Sequence, residues 1–424
     1  MCPEVLVGLR RYLERSDAGA ARMAAWMIES TDLLIVGCGP AGGVAAREAA
    51  SRGLRVVVLE KDAVVGSKRV CAAGLRPGFC REFDLPESLV HCNTPRLALF
   101  DPYGDEYAVR FGPGHTSTRE ELDGTIAARA VTAGAEIRTN ALFRELSSEG
   151  GRTLVEYADT ARGERRRIAA RHVFLAQGST AKLERHPRFA FSGWASGLMT
   201  TLQQRWYLAR PAAPIAYETL ELHYYPARDG RTVVAWMFPK RDHLAIGLGI
   251  TGKVPGAELR EELDEFAART IRRLAPGIEA RVKLEGHLLY GGMPRPTVGA
   301  DGVSIGGTAA GLVDATNGEG IYEAATSGRM LADFVWRYRD DATRASAAYS
   351  RALHDRFYAR LARRVKLIEF LSRRPKRFRL LFEQFAAAPR FAELVANERF
   401  DRTWADRIFL YAQAARFGAR SLLA

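Results

Sequence analysis

Asp32-Leu-Leu-Ile-Val36-Gly37-Cys38-Gly39-Pro40-Ala41-Gly42, a small-residue stretch to about Arg52, and then Leu54-Arg-Val-Val-Val-Leu59-Glu60 form the segment on which the fold turns. The first apolar run is short enough for a buried strand, the glycines make a tight turn, the small residues suit a helix packed close to a sheet, and the second run is another buried strand. Together they predict a βαβ unit. Glycines spaced G-x-G-x-x-G between a strand and a helix let the backbone approach a pyrophosphate. The helix start adds N–H groups and partial positive charge, and an acid at the tip of the next strand can accept hydrogen bonds from a ribose. Gly37, Gly39, Pro40, Ala41, Gly42, Glu60 and the neighbouring Lys61 are therefore read as dinucleotide-binding.

Working outward, residues 1–30 read as an N-terminal extension of weak helical periodicity with no assigned function, with Met23 and Met27 as alternative starts. Downstream, residues 94–111 alternate as strand does, and Thr118–Thr132 reads as a helix with Arg119, Glu120 and Glu121 in its first turn. A cation at a helix start is unfavourable without an anion, so Arg119 is placed beside the dinucleotide. Strands follow at 136–139, 153–158 and 172–176, then a β-rich stretch over 215–250, a helix over 258–273 and a short strand at 303–305. A second glycine turn, Gly306-Gly-Thr308-Ala-Ala-Gly311 with Asn317-Gly318-Glu319-Gly320-Ile321, opens a helix to about Trp336. Nicotinamide dehydrogenases usually continue with consecutive βα units. Here the chain leaves for a β-rich insert and returns to a helix start able to face the pyrimidine edge of a flavin, where reduction places negative charge. FAD is the expected cofactor.

These segments, in this order, resemble the FAD-dependent geranylgeranyl reductases within the hydroxylase-like flavoproteins, over about residues 32–336. Besides the βαβ unit, Cys71-Ala-Ala73-Gly74-Leu75 looks like that family's Cys-Gly-x-Gly-Leu loop, and Arg119 with Asp123 looks like its Arg-x-x-x-Asp. Ala235-Trp236-Met-Phe238-Pro-Lys240 with Gly247 and Gly249 is similar to its Trp-x-Phe-Pro-Lys…Gly-x-Gly segment. The chain departs from the family at Ala176-Gln177-Gly178 and at Thr308, where relatives carry Asp; Thr308 keeps a hydroxyl near the ribityl chain but loses the charge.

The resemblance implies an α/β fold: a Rossmann-like FAD-binding domain with an inserted β-rich substrate domain and a helical C-terminal region. The expected limits are 31–94, 116–185 and 284–336 for the FAD-binding domain, 95–115 and 186–283 for the substrate domain, and 337–424 for the tail. It implies saturation of isoprenoid double bonds, with reduced FAD giving hydride to one alkene carbon and an acid protonating the other. Cys71 is the favoured acid, with Tyr217, His223, Tyr224 and Tyr225 as other sources and a merely pocket-lining role as the alternative. Cys71, Ala73, Gly74, Arg119, Phe143, Gly178, Thr308, Gly318, Gly320 and Ile321 complete the expected FAD contacts. Trp236 and Phe238 share a strand face and are expected to wall the prenyl chain, with Tyr217 beside them. Lys240 meets an anionic head group or sits in a solvated turn. A monooxygenase or halogenase on the same scaffold, and a flavin-poor isoprenoid-binding protein, are the alternatives. The substrate is a lipophilic prenyl compound of unspecified kind, and the electron donor is NADPH or a ferredoxin-type protein.

Of the 424 residues, 47% are hydrophobic and 26% charged, an ordinary globular composition. Five scattered cysteines, Cys2, Cys38, Cys71, Cys80 and Cys92, lack metal-ligand spacing, so no metal is expected and the compartment reads as cytoplasmic. Of the net charge of +13, +11 resides in the tail, where residues 337–424 hold 20 Lys+Arg against 9 Asp+Glu. Leu353, Phe357, Leu361, Val365 and Ile368 recur at helical spacing, with Arg356, Arg360, Arg363, Arg364 and Lys366 largely elsewhere on the wheel. That is a basic amphipathic helix which either docks on its own protein or lies on the anionic inner face of a membrane. Nucleic acid is not an expected partner.

Overall fold

The computed structural model describes residues 29–422 apart from 68–70, 150, 182, 184–185, 187 and 397–401, so the expected N-terminal extension lies almost wholly outside the described residues. Two eight-stranded sheets organise the chain. In the first, Glu29–Val36 pairs in parallel with Val56–Leu59 on one side and Glu164–Leu175 on the other. Glu136–Arg138 and Val303–Ile305 extend this parallel core outward. Continuous apolar runs suit these strands because both faces are covered: Leu33, Leu34, Ile35 and Val58 are fully buried.

Helix α1 (Pro40–Ala50) follows the first turn, and α2 (Arg119–Thr132) is capped by Thr118, whose hydroxyl accepts from Glu121 N–H. The helix that lies against α1 is Ile321–Arg337, and contact between them is backbone-close. A Cβ added at Gly328 would stand 2.1 Å from the Ala41 carbonyl oxygen, so glycine there is a packing requirement.

The second sheet runs in the order Ala280–Tyr290, Leu198–Leu208, Leu244–Thr251, Thr232–Pro239, Thr219–Pro226, Cys92–Phe100, Glu106–Thr116 and Gly74–Leu75. All its pairings are antiparallel except that of Thr219–Pro226 with Cys92–Phe100. Strand alternation gives it two unlike faces. Val233, Ala235 and Met237 pack with Leu259, Leu263 and Phe266 of helix α3 (Gly256–Leu274). Val234, Trp236 and Phe238 face the other way, into a cluster with Phe378, Phe382 and Phe391 of the tail. The limit expected at residue 283 falls inside the strand Ala280–Tyr290, whose alternating exposed positions and charged residues carry no buried-strand signal.

With α4 denoting Ile321–Arg337, the remainder is helical: α5 (Ala342–Leu353), a π turn at His354–Tyr358, α6 (Ala359–Ser372), α7 (Lys376–Ala387), α8 (Pro389–Ala396) and α9 (Trp404–Leu422). Leu353, Phe357, Leu361 and Val365 are buried, so the amphipathic helix docks on its own protein. Arg360 and Arg364, expected on its polar side, turn inward to ion pairs with Glu323 and Asp314. Among the described residues no helix is long and apolar enough to cross a membrane.

Candidate active site

The first glycine turn closes on itself. Gly37 has φ +98° and its N–H donates to the Leu59 carbonyl, which ties the end of one strand to the next. A Cβ at Gly37 would lie 2.5 Å from the Ala176 oxygen, and one at Gly42 only 1.9 Å from the Gly37 oxygen, so both glycines are demanded by the chain itself. Gly39 differs. It is the N-cap of α1, no side chain caps that helix, and the nearest atom to an added Cβ is Arg119 Nη2 at 3.4 Å. The helix start thus presents N–H groups and partial positive charge beside a guanidinium, an anion site.

Glu60 holds this turn from the neighbouring strand. Its Oε2 accepts from Cys38 N–H at 2.9 Å and its Oε1 from Asp62 N–H at 3.0 Å, which leaves each oxygen a further lone pair for a ribose. Burial, with Glu60 and Asp123 nearby, pushes the Cys38 thiol far up, so it is inert. Lys61 is exposed and pairs with Asp62. Phe143 lies two residues beyond Ala141, whose N–H donates to the Glu60 carbonyl, and packs at the margin of the first core.

Arg119 is buried at the start of α2 and grips Asp123 through two bonds, Nε–Oδ1 at 2.9 Å and Nη2–Oδ2 at 2.5 Å. Its guanidinium also lies close enough to the Cys71 sulfur to feel its charge. Cys71 is half-buried and its Sγ accepts from Ala73 N–H at 3.3 Å; Ala73 takes a left-handed φ of +45°, an uncommon conformation for a side-chain-bearing residue. Gly74 and Leu75 then pair with Thr116 and His115 as the edge of the second sheet. The Phe238 ring occupies the space where a Gly74 side chain would be, 2.8 Å from the Cβ position.

Lys240 is the largest departure from expectation. It lies in neither a solvated turn nor at an open head-group site: it is 1% exposed, and its Nζ donates to the Ala72 carbonyl inside the Cys71 loop. Burial pushes its ammonium down to about 7, against the opposing pull of Cys71 and Cys92. The loop and the second sheet are thus joined at Phe238 and Lys240. Trp236 lies on the same strand face, its ring accommodated by the absence of a side chain at Gly247 and its Nε1–H donating to Gln203 at 3.2 Å.

Not every expected residue arrives here. Tyr217 packs on the α3 side of the sheet and its hydroxyl accepts from Ala212 N–H, so the structure separates it from Trp236 and Phe238. Tyr225 also belongs to that side, and His223, paired with Glu221, stacks on Phe100 and meets Phe266. Tyr224 points the other way but spends its hydroxyl on the Thr316 carbonyl, and burial holds its pKa well above the usual phenol value.

The second turn packs against the first. Gly307 has φ +59° and donates to Ser327 Oγ; a Cβ there would sit 3.1 Å from that of Ala41. Thr308 is half-buried beside it. Gly318 is left-handed, Gly320 opens α4, and Ile321 packs with Val44, Leu75 and Ile126. A charge network unforeseen in sequence ties this loop down. Arg76 pairs with Glu319 and with the fully buried Glu323, which Arg360 meets at 2.5 Å, and Arg364 reaches Asp314 at 3.1 Å. Burial and the neighbouring Glu323 raise the Glu319 pKa against the pull of Arg76. The sequence signal was the acid inside Gly318-Glu319-Gly320; its basic partners lie too far off along the chain to be read from spacing.

The residues present fit FAD. The uncapped start of α1, the opening at Gly39 beside Arg119, and Glu60 suit the adenosine diphosphate half. Gln177 Oε1, beside the left-handed Gly178, is buried with no hydrogen-bond partner among the described residues, a spare acceptor next to the glycine turn.

Residues 32–77 match the FAD-binding domain family model. The chain is 26% identical over 330 residues to the geranylgeranyl diphosphate reductase of Rhodobacter capsulatus, covering 76% of this chain and 79% of the relative. It is 29% identical over 340 residues to digeranylgeranylglycerophospholipid reductase 1 of Methanopyrus kandleri, covering 77% and 85%. Among solved structures, a geranylgeranyl bacteriochlorophyll reductase-like protein from Thermoplasma acidophilum superposes with a TM-score of 0.74 at 22% identity, covering 85% of this chain and 92% of that one. A flavin-dependent brominase shares the fold at a TM-score of 0.65 and 17% identity, covering 86% and 92%. The chain resembles the geranylgeranyl reductases across three quarters of its length and is an FAD-dependent oxidoreductase.

Proposed function

We propose that the protein saturates carbon–carbon double bonds of a prenyl chain. The observation that carries this reading is the junction at which the Cys71 loop, with Arg119 beside it, meets Phe238 and Lys240 of the second sheet. Similarity to reductases whose names specify geranylgeranyl substrates supports it. FAD, when bound and reduced, supplies hydride to one alkene carbon.

The chain's own residues do the rest. Trp236 and Phe238 offer an apolar wall that positions a prenyl segment, and packing against the Cys71 loop keeps water away from it. Cys71 Sγ–H is the proton source for the second carbon, and Arg119 beside it stabilises the charge left on sulfur. Lys240, buried and with its ammonium pushed down to about 7, exchanges its proton readily near pH 7 and can return one to that pocket after each turnover. The division of labour follows the two sheets, the first binding FAD and the second the substrate. The electron donor is either NADPH or a ferredoxin-type protein.

Anaerobic reduction of the bound flavin, followed by mixing with a panel of prenyl diphosphates, prenylated lipids and prenyl esters, tests the reading. Flavin reoxidation together with a product two mass units heavier per bond reduced is expected. Product formation that requires oxygen would replace it with the monooxygenase or halogenase reading, and a purified protein without yellow colour would replace it with the flavin-poor one.

A further inference from the structure

The last helix leaves an apolar stripe uncovered. In α9, Trp404, Ile408, Tyr411 and Leu422 are 79%, 63%, 77% and 83% exposed. At 100° per residue these four and Ala415 fall within about 60° of one another on the wheel. The opposite face already holds the helix to the body: Phe417 is buried beside Phe370, Gln413 accepts from Gln384, and Arg420 pairs with Glu383. Packing therefore does not account for the stripe. Exposed Arg407 and Arg416 flank it, and the exposed turn Arg373-Arg374-Pro375-Lys376 follows Phe370 closely in sequence.

We propose that this stripe docks on an anionic lipid bilayer, with α9 lying in the headgroup region. Large apolar side chains on one helix face with arginines at its margins are what an interfacial helix needs, and Trp and Tyr suit the boundary between headgroups and acyl chains. Charge complementarity chooses this occupant over a second copy. Arg360, Arg364 and Arg379 are offset by Glu323, Asp314 and Asp101, but Arg373, Arg374, Lys376, Arg407 and Arg416 stay exposed, so two such faces brought together repel, whereas an anionic leaflet attracts. The earlier amphipathic segment at 353–368 is spent on the protein's own core, which leaves α9 as the membrane-facing element.

Flotation of the full-length flavoprotein with vesicles of phosphatidylcholine alone or mixed with phosphatidylglycerol tests this, read at low and high salt. The wild type is expected on the anionic vesicles only. The double variant Ile408→Asp with Tyr411→Asp should weaken partitioning about tenfold or more at either salt. Arg407→Gln with Arg416→Gln should weaken it chiefly at low salt. Because all four positions are exposed, each variant is expected to keep its flavin absorbance. Should the aspartate variant fail to fold, the loss of salt dependence in the arginine variant decides instead. Wild type that stays off anionic vesicles at low salt, equal binding to neutral vesicles, or unchanged binding by both variants overturns the proposal. A dimer in sedimentation velocity that Ile408→Asp dissociates, without vesicle binding, assigns the stripe to a second copy and overturns it as well.

Discussion

At the turn after the first strand, what faces a dinucleotide is main chain: the open start of α1 at Gly39, approached by one guanidinium. At the second sheet, what faces the Cys71 loop is side chain: Trp236, Phe238 and Lys240, each placed by an empty position or a carbonyl across from it. The first arrangement binds the part of a ligand that every dinucleotide shares, since backbone N–H groups recognise phosphate without regard to what it carries. The second is free to change one residue at a time without moving the scaffold. Phosphate recognition by main chain and substrate positioning by side chains can therefore share one junction.

The sharpest break in this comparison comes from the glycines. Gly39→Val should abolish FAD retention, read as loss of yellow colour, while circular dichroism shows the fold kept, because the protein atoms near its Cβ position, Arg119 Nη2 at 3.4 Å and Asp123 Oδ2 at 4.0 Å, stand at ordinary contact distance and the rest is ligand space. Gly42→Val should fail differently, as loss of soluble folded protein, since the clash there is with the chain's own backbone. If both variants fold and bind FAD, the backbone half of the comparison is wrong.

The side-chain half is tested by kinetics. Cys71→Ser should slow alkene-driven flavin reoxidation about 100-fold with little change in binding, as expected for loss of a positioned acid. Trp236→Ala should raise KM about tenfold and leave the single-turnover rate nearer the wild-type value. Rapid anaerobic mixing separates the two, and a Cys71→Ser enzyme that reoxidises at the wild-type rate would reduce Cys71 to a structural residue.

Lys240 sharpens the contrast through stability. Its folded-state pKa, about 7, lies below its ordinary value, so between the two the unfolded chain binds more protons and stability falls as pH is lowered towards 7. Urea titrations of wild type and Lys240→Met over that window should diverge by about 1.4 kcal/mol per pH unit, with Met the more stable at pH 7. Parallel curves would place the ammonium in contact with water. The smallest effect is expected at Thr308→Asp, which should tighten FAD about tenfold or less if the added carboxylate reaches the ribityl hydroxyls; unchanged affinity in a fluorescence titration would show that the loop has been rebuilt.

The parallel sheet was legible because burial on both faces writes itself as uninterrupted Val, Leu and Ile, and because the backbone leaves no room for a side chain at Gly37 and Gly42. The second sheet was legible in the alternating chain over 94–111 and in the β-rich stretch 215–250, which become Cys92–Phe100, Glu106–Thr116, Thr219–Pro226, Thr232–Pro239 and Leu244–Thr251. Leu198–Leu208, with Gln203, Gln204 and Arg205 buried in its middle, reads as polar chain because its partners Trp236, Asp264, Glu120 and Glu285 come from elsewhere. Tyr217 misled for a related reason: a tyrosine near the aromatic strand gives no indication of which face of the sheet it will join. The inward turn of Arg360 and Arg364 was hidden by the same non-locality, since helical spacing marks an apolar face but not an arginine whose carboxylate lies tens of residues away.

The ties from Arg360 to Glu323 and from Arg364 to Asp314 also set an order of events during synthesis. Glu29–Val36 emerges early, but its sheet is incomplete until Val303–Ile305 arrives to pair with Glu164–Leu175, and the loop before α4 has its counter-charges only once α6 has been made. At about 5–20 residues per second, a nascent chain spends many seconds with the nucleotide turn formed and the flavin cleft unfinished. The charge network around the loop before α4 is in consequence complete only once the chain has been made as far as Arg364, and a truncated chain ending before residue 360 would leave Glu323 buried without one of its two arginines.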